Sequence, residues 1–127
     1  MARKRPKQRP QVGILGKDLT RRSRGRCELC ESRDGVRPYE LAPFPEEPSM
    51  ERTLMACAPC RGWLEGEPIV PIEASFLESA VWSLEPAIQL AAARLLLRID
   101  DPHMPHVRDA LDAARIDPDT GEFREAV

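Results

Sequence analysis

The spacing of the four cysteines constrains this chain more than any other feature of its sequence. The cysteines form two C-x2-C pairs, Cys27 with Cys30 and Cys57 with Cys60. In such a pair a tight turn aims both sulfurs at one point, and two pairs together supply four thiolates for a tetrahedral metal site. The sequence therefore predicts one structural Zn²⁺ ion held by all four cysteines, with no coordination position left open for catalysis.

Two other uses of the cysteines fit the sequence less well. Disulfides belong to oxidising compartments, whereas Met1 is followed by charged residues and not by the apolar run of a secretory signal. A redox-active C-x-x-C normally occurs singly beside a βαβ pattern, and we see none in this sequence. Charges or prolines interrupt every apolar run well below the ~18 residues of a membrane span. We therefore expect a cytoplasmic protein without membrane contact.

Charge is strongly polarised along the 127 residues. Residues 1–26 contain ten basic side chains against Asp18 alone, while the remainder contains nine basic and twenty acidic. Clustered Lys and Arg bind phosphates by counterion release, so this arm predicts a nucleic-acid contact; a solvated tail is the alternative. Pro6 and Pro10 favour a largely disordered arm, with a short helix or turn over Ile14–Arg24. The candidate contact residues are Arg3, Lys4, Arg5, Lys7, Arg9, Arg21, Arg22 and Arg24.

Residues 27–68 are predicted to form the zinc-binding module. Val36–Leu41 and Thr53–Ala56 read as two strands of a hairpin, and the second cysteine pair heads a short helix. This order is typical of a treble-clef or zinc-ribbon module. Arg26 and Arg61 each adjoin a ligand cysteine, so both are candidates for offsetting the net negative charge of a zinc ion with four thiolates; exposed arginines are the alternative.

Residues 69–127 are predicted to be helical. Helices are expected over Glu73–Val81, over residues 86–99 after an N-capping Ser83, and over Pro105–Ala114. The 86–99 helix is apolar on nearly all sides, so we expect it to be buried against the rest of the chain; self-association or a protein partner is the alternative. The predicted fold class is α+β, a small four-cysteine module packed with two or three α-helices.

Some treble clefs are nucleases of the His-Asn-His kind, which use a histidine on the first strand as general base. The two histidines here, His103 and His106, lie far downstream of the predicted hairpin. Glu40 can serve as a base in principle, but a solvated carboxylate is the commoner role of such a residue. We therefore expect no catalytic residues, and an enzyme is the less favoured class.

Four stretches together resemble the N-terminal part of the longer PhnA-like proteins, a family named for an alkylphosphonate-utilisation operon. These are Cys27–Cys30, Tyr39–Pro45, Cys57–Cys60 and Trp82–Gln89. The resemblance covers roughly residues 19–125. It implies a zinc-ribbon domain in which all four cysteines are zinc ligands.

The chain also departs from the family it resembles. Members of this kind usually continue into a small β-rich C-terminal domain, which we expect this chain, ending at Val127, to lack. The basic arm is not a feature that we associate with them. Carbon–phosphorus hydrolysis by a metal needs open coordination positions and an activated nucleophile, which these residues do not provide. The predicted function is therefore a zinc-binding adaptor that contacts nucleic acid, with protein interaction through the 86–99 helix and phosphonate metabolism as alternatives.

Overall fold

The computed structural model of this chain describes residues 8–99 and 106–124, the side chain of His106 excepted. These residues form an α+β fold, as predicted, with helices around two small antiparallel hairpins. The helices are α1 (Gly16–Ser23), α2 (Ala58–Leu64), α3 (Leu77–Ala80), α4 (Pro86–Ile99) and α5 (His106–Ala114), with 3₁₀ helices at Pro10–Leu15 and Pro71–Ala74. The strands are β1 (Arg37–Glu40), β2 (Thr53–Ala56), β3 (Ile116–Asp117) and β4 (Glu122–Phe123). No helix in the described ranges is long and apolar enough to cross a membrane.

The N-terminal segment is folded where the structure describes it, so the prediction of a largely disordered arm over residues 1–26 does not hold for residues 10–23. The first 3₁₀ helix leads directly into α1, so the predicted short helix over Ile14–Arg24 is present. Val12 and Leu19 are buried and anchor these two elements to the rest of the chain. Two well-placed apolar side chains therefore order a segment whose composition suggested disorder. Residues 1–7 lie outside the described residues.

The β1–β2 hairpin separates two layers of helix. Its strands are antiparallel, with Pro38 opposite Met55 and Tyr39 opposite Leu54. Successive side chains of a strand point to opposite faces. Tyr39 and Leu54 accordingly belong to the core that includes α4, while Pro38 and Met55 face α1. Both faces of the hairpin are thus covered, which explains why all four residues of β2 are buried.

Helix α4 is the centre of the core. Eight of its fourteen residues are buried, and it packs against α2, α3, α5 and the strands β2 and β4. Consecutive small residues, Ala91 to Ala93, are fully buried and let neighbouring elements approach the helix axis closely. The expectation that the 86–99 helix packs inside the chain is confirmed. Its apolar side chains are consequently used within the protein and do not form a continuous exposed face.

The segment between the cysteine module and α4 differs from the single helix expected over Glu73–Val81. It contains a 3₁₀ helix, Pro71–Ala74, and a separate short helix, α3. At the break between them, Phe76 stacks on Trp63 of α2 with ring centroids 6.1 Å apart. Apolar spacing alone predicts one continuous helix here. The helix is instead interrupted where Phe76 stacks on Trp63, so a tertiary contact accompanies the break.

The C-terminal residues contain a second hairpin that the sequence analysis did not predict. Strands β3 and β4 pair Ile116 with Phe123 around a turn over residues 117–121. The Asp117 side chain accepts a hydrogen bond from the Asp119 N–H at 2.8 Å, and Gly121 has a φ of 65°, a conformation that favours glycine. This hairpin places Glu122 beside α4.

Candidate metal centre

The four predicted ligands converge on one point. All four sulfur atoms lie within 4.8 Å of one another, and the Cys30 and Cys57 sulfurs are 3.5 Å apart. Zinc–thiolate bonds of about 2.3 Å in a tetrahedron would separate the sulfurs by about 3.8 Å. All four residues are free cysteines, three of them buried and Cys30 partly exposed. The tetrad can therefore hold one metal ion, and its geometry fits a tetrahedral thiolate site.

The first cysteine turn is shaped by backbone hydrogen bonds. The Cys27 N–H donates to the Ser32 carbonyl at 2.7 Å, and the Glu31 N–H donates to the Cys27 carbonyl at 2.9 Å. Glu31 takes a left-handed backbone conformation, with a φ of 68°, which turns the chain sharply after Cys30. Backbone groups of Leu29 and Cys30 also hydrogen-bond the Cys27 sulfur, so peptide dipoles offset part of the thiolate charge.

The second cysteine turn is the beginning of a helix. Cys57 is the extended residue that precedes α2, and Pro59 occupies the first turn, where its missing N–H costs no hydrogen bond. The Cys57 carbonyl accepts from the Arg61 N–H at 2.9 Å. Cys57 and Cys60 therefore lie on the first turn of one helix, whose direction is set by its packing on α4.

The thiols influence one another through hydrogen bonds and burial. The hydrogen bond with Cys60, against the opposing effect of burial, lowers the pKa of Cys27 to about 4, and the same bond raises the pKa of Cys60. Burial raises the pKa of the Cys30 thiol to about 11. Metals bind thiolates, so an incoming ion must displace the protons held by Cys30 and Cys60. Metal affinity will consequently fall as the solution becomes more acidic.

A buried ion pair fixes the first cysteine turn to the hairpin. Glu28, between the first two cysteines, exchanges two hydrogen bonds with Met55: its N–H donates to the Met55 carbonyl, and its carboxylate accepts from the Met55 N–H, both at 2.8 Å. Arg22 of α1 donates to both Glu28 carboxylate oxygens, at 2.7 and 2.9 Å, and also to the Thr53 carbonyl. Glu28 thus occupies the outer edge of β2 and links α1, the first cysteine turn and the hairpin.

The two arginines proposed to offset thiolate charge have different surroundings. The Arg61 guanidinium donates to the carbonyl of Ala56 at 2.7 Å and to the carbonyl of Gly35. Arg61 therefore ties the residue before Cys57 to the turn before β1, and it supports the site through backbone position. Arg26 is exposed.

Glu40 is not the solvated carboxylate that the sequence analysis favoured. Its side chain is fully buried, and Arg9 binds both carboxylate oxygens, at 2.7 and 2.6 Å. This hydrogen bonding raises the pKa of Arg9 above its ordinary value. The Gln8 side chain pairs with the N–H and carbonyl of Glu40, which occupies the outer edge of β1. Glu40 is therefore a structural anion held in a two-point ion pair, an arrangement that does not suit a general base.

The basic residues predicted to contact nucleic acid divide into three groups. Arg9 and Arg22 are engaged in the ion pairs with Glu40 and Glu28, so both guanidinium groups already have carboxylate partners within the protein. Arg21 and Arg24 are exposed, as are Lys17 and Arg26. The remaining candidates, Arg3, Lys4, Arg5 and Lys7, lie outside the described residues.

A third ion-pair cluster joins the C-terminal hairpin to the rest of the protein. Glu122 accepts from Arg52 at 2.6 Å and from Arg94 at 2.9 Å, and Arg94 also donates to the Gly121 carbonyl. Burial acts against the ionised form, but hydrogen bonds and charge, mainly from Arg52, hold the pKa of Glu122 below its ordinary value of 4.5. Glu122 and Glu40 both line a cleft of about 750 Å³. Both of these carboxylates are paired with arginine.

No protein-family model, curated protein or solved structure matches this chain. The resemblance of its cysteine, Tyr39–Pro45 and Trp82–Gln89 stretches to PhnA-like proteins therefore stays a prediction from the residues.

Proposed function

We propose that this chain is a zinc-binding protein whose four-cysteine site is structural, and that it acts as a non-catalytic module contacting nucleic acid. The convergence of four sulfurs within 4.8 Å carries the proposal. Thiolates favour zinc over ions that prefer oxygen ligands, and four of them complete its tetrahedral shell. A closed shell leaves no position for substrate, so the ion serves to hold the two cysteine turns together.

The order of elements around the tetrad supports a zinc-ribbon or treble-clef-like module. The first cysteine turn precedes the β1–β2 hairpin, and the second begins α2. Membership of the PhnA-like family belongs to the same proposal and rests on the four resembling stretches. A phosphonate-cleaving activity is not part of it, since a four-thiolate ion has no open position and two carboxylates of the 750 Å³ cleft, Glu40 and Glu122, are held by arginines.

Nucleic-acid contact is supported by the charge of the N-terminal segment and by the way it is folded. Residues 1–26 carry ten basic side chains and one acidic. The ion pairs of Arg9 and Arg22 bind this segment to the hairpin, and exposed cations remain on α1 and just after it. A positively charged surface on a rigid frame is suited to phosphates. A protein partner on the 86–99 helix is less favoured, because most of that helix is buried.

The nucleic-acid proposal is tested with the zinc-loaded full chain and a chain lacking residues 1–7. Gln8 and Arg9 are kept because they hold Glu40. Fluorescence anisotropy with labelled DNA, single-stranded and duplex, is recorded at low and moderate salt. We expect binding that weakens with salt, since each phosphate contact releases counterions. If neither the single-stranded nor the duplex probe is bound at low salt, the proposal is overturned.

A further inference from the structure

A groove runs between α1 and the β1–β2 hairpin. Its volume is about 550 Å³, and its lining residues are Gly16, Lys17, Thr20, Arg21, Pro38 and Met55. The first four belong to one side of α1, and the last two face α1 from the hairpin. The groove lies on the side of the hairpin opposite the α4 core.

The helical wall of this groove carries positive charge. Lys17 and Arg21 are four residues apart and exposed, so they lie on one face of α1, about 6 Å apart along its axis. Thr20, also exposed, adds a hydroxyl that can donate to a phosphate oxygen. Among the residues that the structure describes, the groove lining contains no acidic side chain. An anionic chain is therefore the ligand that this wall favours.

The floor of the groove is apolar and well fixed. Pro38 and Met55 are opposite one another in the hairpin. Met55 is held by its two hydrogen bonds to Glu28 of the first cysteine turn. The wall is equally fixed, since buried Leu19 and the Arg22–Glu28 ion pair anchor α1. The positions of the two cations and of the apolar floor are thus fixed relative to one another, and both depend on Glu28 of the first cysteine turn.

We infer that this groove binds single-stranded nucleic acid, with Lys17 and Arg21 on its phosphates and Pro38 and Met55 against a base or sugar. A single strand exposes base faces, which polarisable or flat apolar side chains can contact, while a duplex keeps its bases stacked inside. The inference rests on the proposed nucleic-acid contact and deepens it by naming the groove and the form of the ligand.

The test compares three zinc-loaded full-length proteins: wild type, the double variant K17Q/R21Q, and the control R108Q/R115Q. The control removes the same number of positive charges, two, from exposed positions in the C-terminal part of the chain. Binding of a single strand of about 12 nucleotides and of a duplex of equal length is measured across a salt series. Circular dichroism and zinc content check that each variant is folded.

We expect the wild type to bind the single strand more tightly than the duplex. K17Q/R21Q should lose on the order of tenfold in single-strand affinity, and its slope of log K against log salt should shrink by about 1.4, for two lost phosphate contacts. The control should stay close to wild type.

Three outcomes would overturn the inference. In the first, K17Q/R21Q keeps the affinity and salt slope of the wild type while removal of residues 1–7 abolishes binding; the proposed function then survives without the groove. In the second, the control loses as much affinity as K17Q/R21Q, which means that only net charge matters. In the third, the duplex binds as tightly as the single strand. If wild type binds neither probe, the proposed function fails together with the inference.

Discussion

The two faces of the β1–β2 hairpin are covered by different chemistry. On one face, the 3₁₀ helix and α1 are attached by two ion pairs, Arg9 with Glu40 and Arg22 with Glu28 of the first cysteine turn, together with buried Val12 and Leu19. On the other face, α4 packs through buried alanine, leucine and isoleucine side chains. The first face depends on charge as well as on apolar burial and is joined to the cysteine tetrad through Glu28, whereas the second depends mainly on the hydrophobic effect. The two faces should therefore respond to different perturbations.

Removal of the metal should have the largest effect. A structural four-thiolate zinc ion contributes on the order of 10 kcal/mol of apparent binding free energy to folding. With a chelator we expect amide hydrogen-exchange protection to be lost at the cysteine turns and β2, while amides of α4 keep measurable protection. Equal loss of protection on both faces would contradict the distinction between them, and unchanged protection everywhere would show that the metal is not structural.

Breaking the ion pair beside the metal should come next. In E28A the largely buried Arg22 charge keeps only the half-exposed Glu85 carboxylate, 3.6 Å away, and the Met55 N–H loses its acceptor, so we expect a loss of about 4 kcal/mol in the free energy of unfolding. Urea denaturation of the zinc-loaded protein measures it. The control is E51A, which removes an exposed carboxylate from the same hairpin and should change stability by less than about 0.5 kcal/mol. A similar loss in both variants would exclude a specific role of Glu28.

A cavity on the apolar face should cost slightly less. Leu95 of α4 is 1 % exposed, and L95A should lower the free energy of unfolding by about 3 kcal/mol without changing zinc content. Its matched control is L84A, because Leu84 is 98 % exposed and its truncation should cost less than about 0.5 kcal/mol. If L95A lowered the zinc content, the two faces would not be separable.

The smallest effect should come from Glu122, which joins Arg52, the residue before β2, to Arg94 of α4. Its folded-state pKa lies below 4.5, so its ionised form stabilises the fold above that pH, and this contribution is lost as the pH falls through the lower folded value. Wild type should therefore exceed E122Q in stability at neutral pH, and the difference should shrink below pH 4.5. Comparing the two proteins cancels the shared acid release of metal. A pH-independent difference would contradict this assignment.

The same contrast explains how far the sequence predicts the structure. The clustering of the four cysteines, the strand Thr53–Ala56 and the 86–99 helix follow from local spacing, and each is present as expected. The Arg9–Glu40 ion pair was not predicted, because these residues are 31 positions apart and nothing in local sequence pairs them. For the same reason the N-terminal segment was interpreted as a charged arm, although two of its arginines are structural. Charge composition alone does not distinguish a buried arginine from an exposed one.

The central claim is that one zinc ion is bound by four thiolates and holds the two cysteine turns together. X-ray absorption spectroscopy at the zinc edge of the purified full chain, together with its metal content, tests this most directly. We predict one zinc per chain and four sulfur scatterers at about 2.3 Å, with no nitrogen or oxygen ligand. Substoichiometric metal, a shell containing nitrogen or oxygen, or cysteines joined in disulfides would contradict the account.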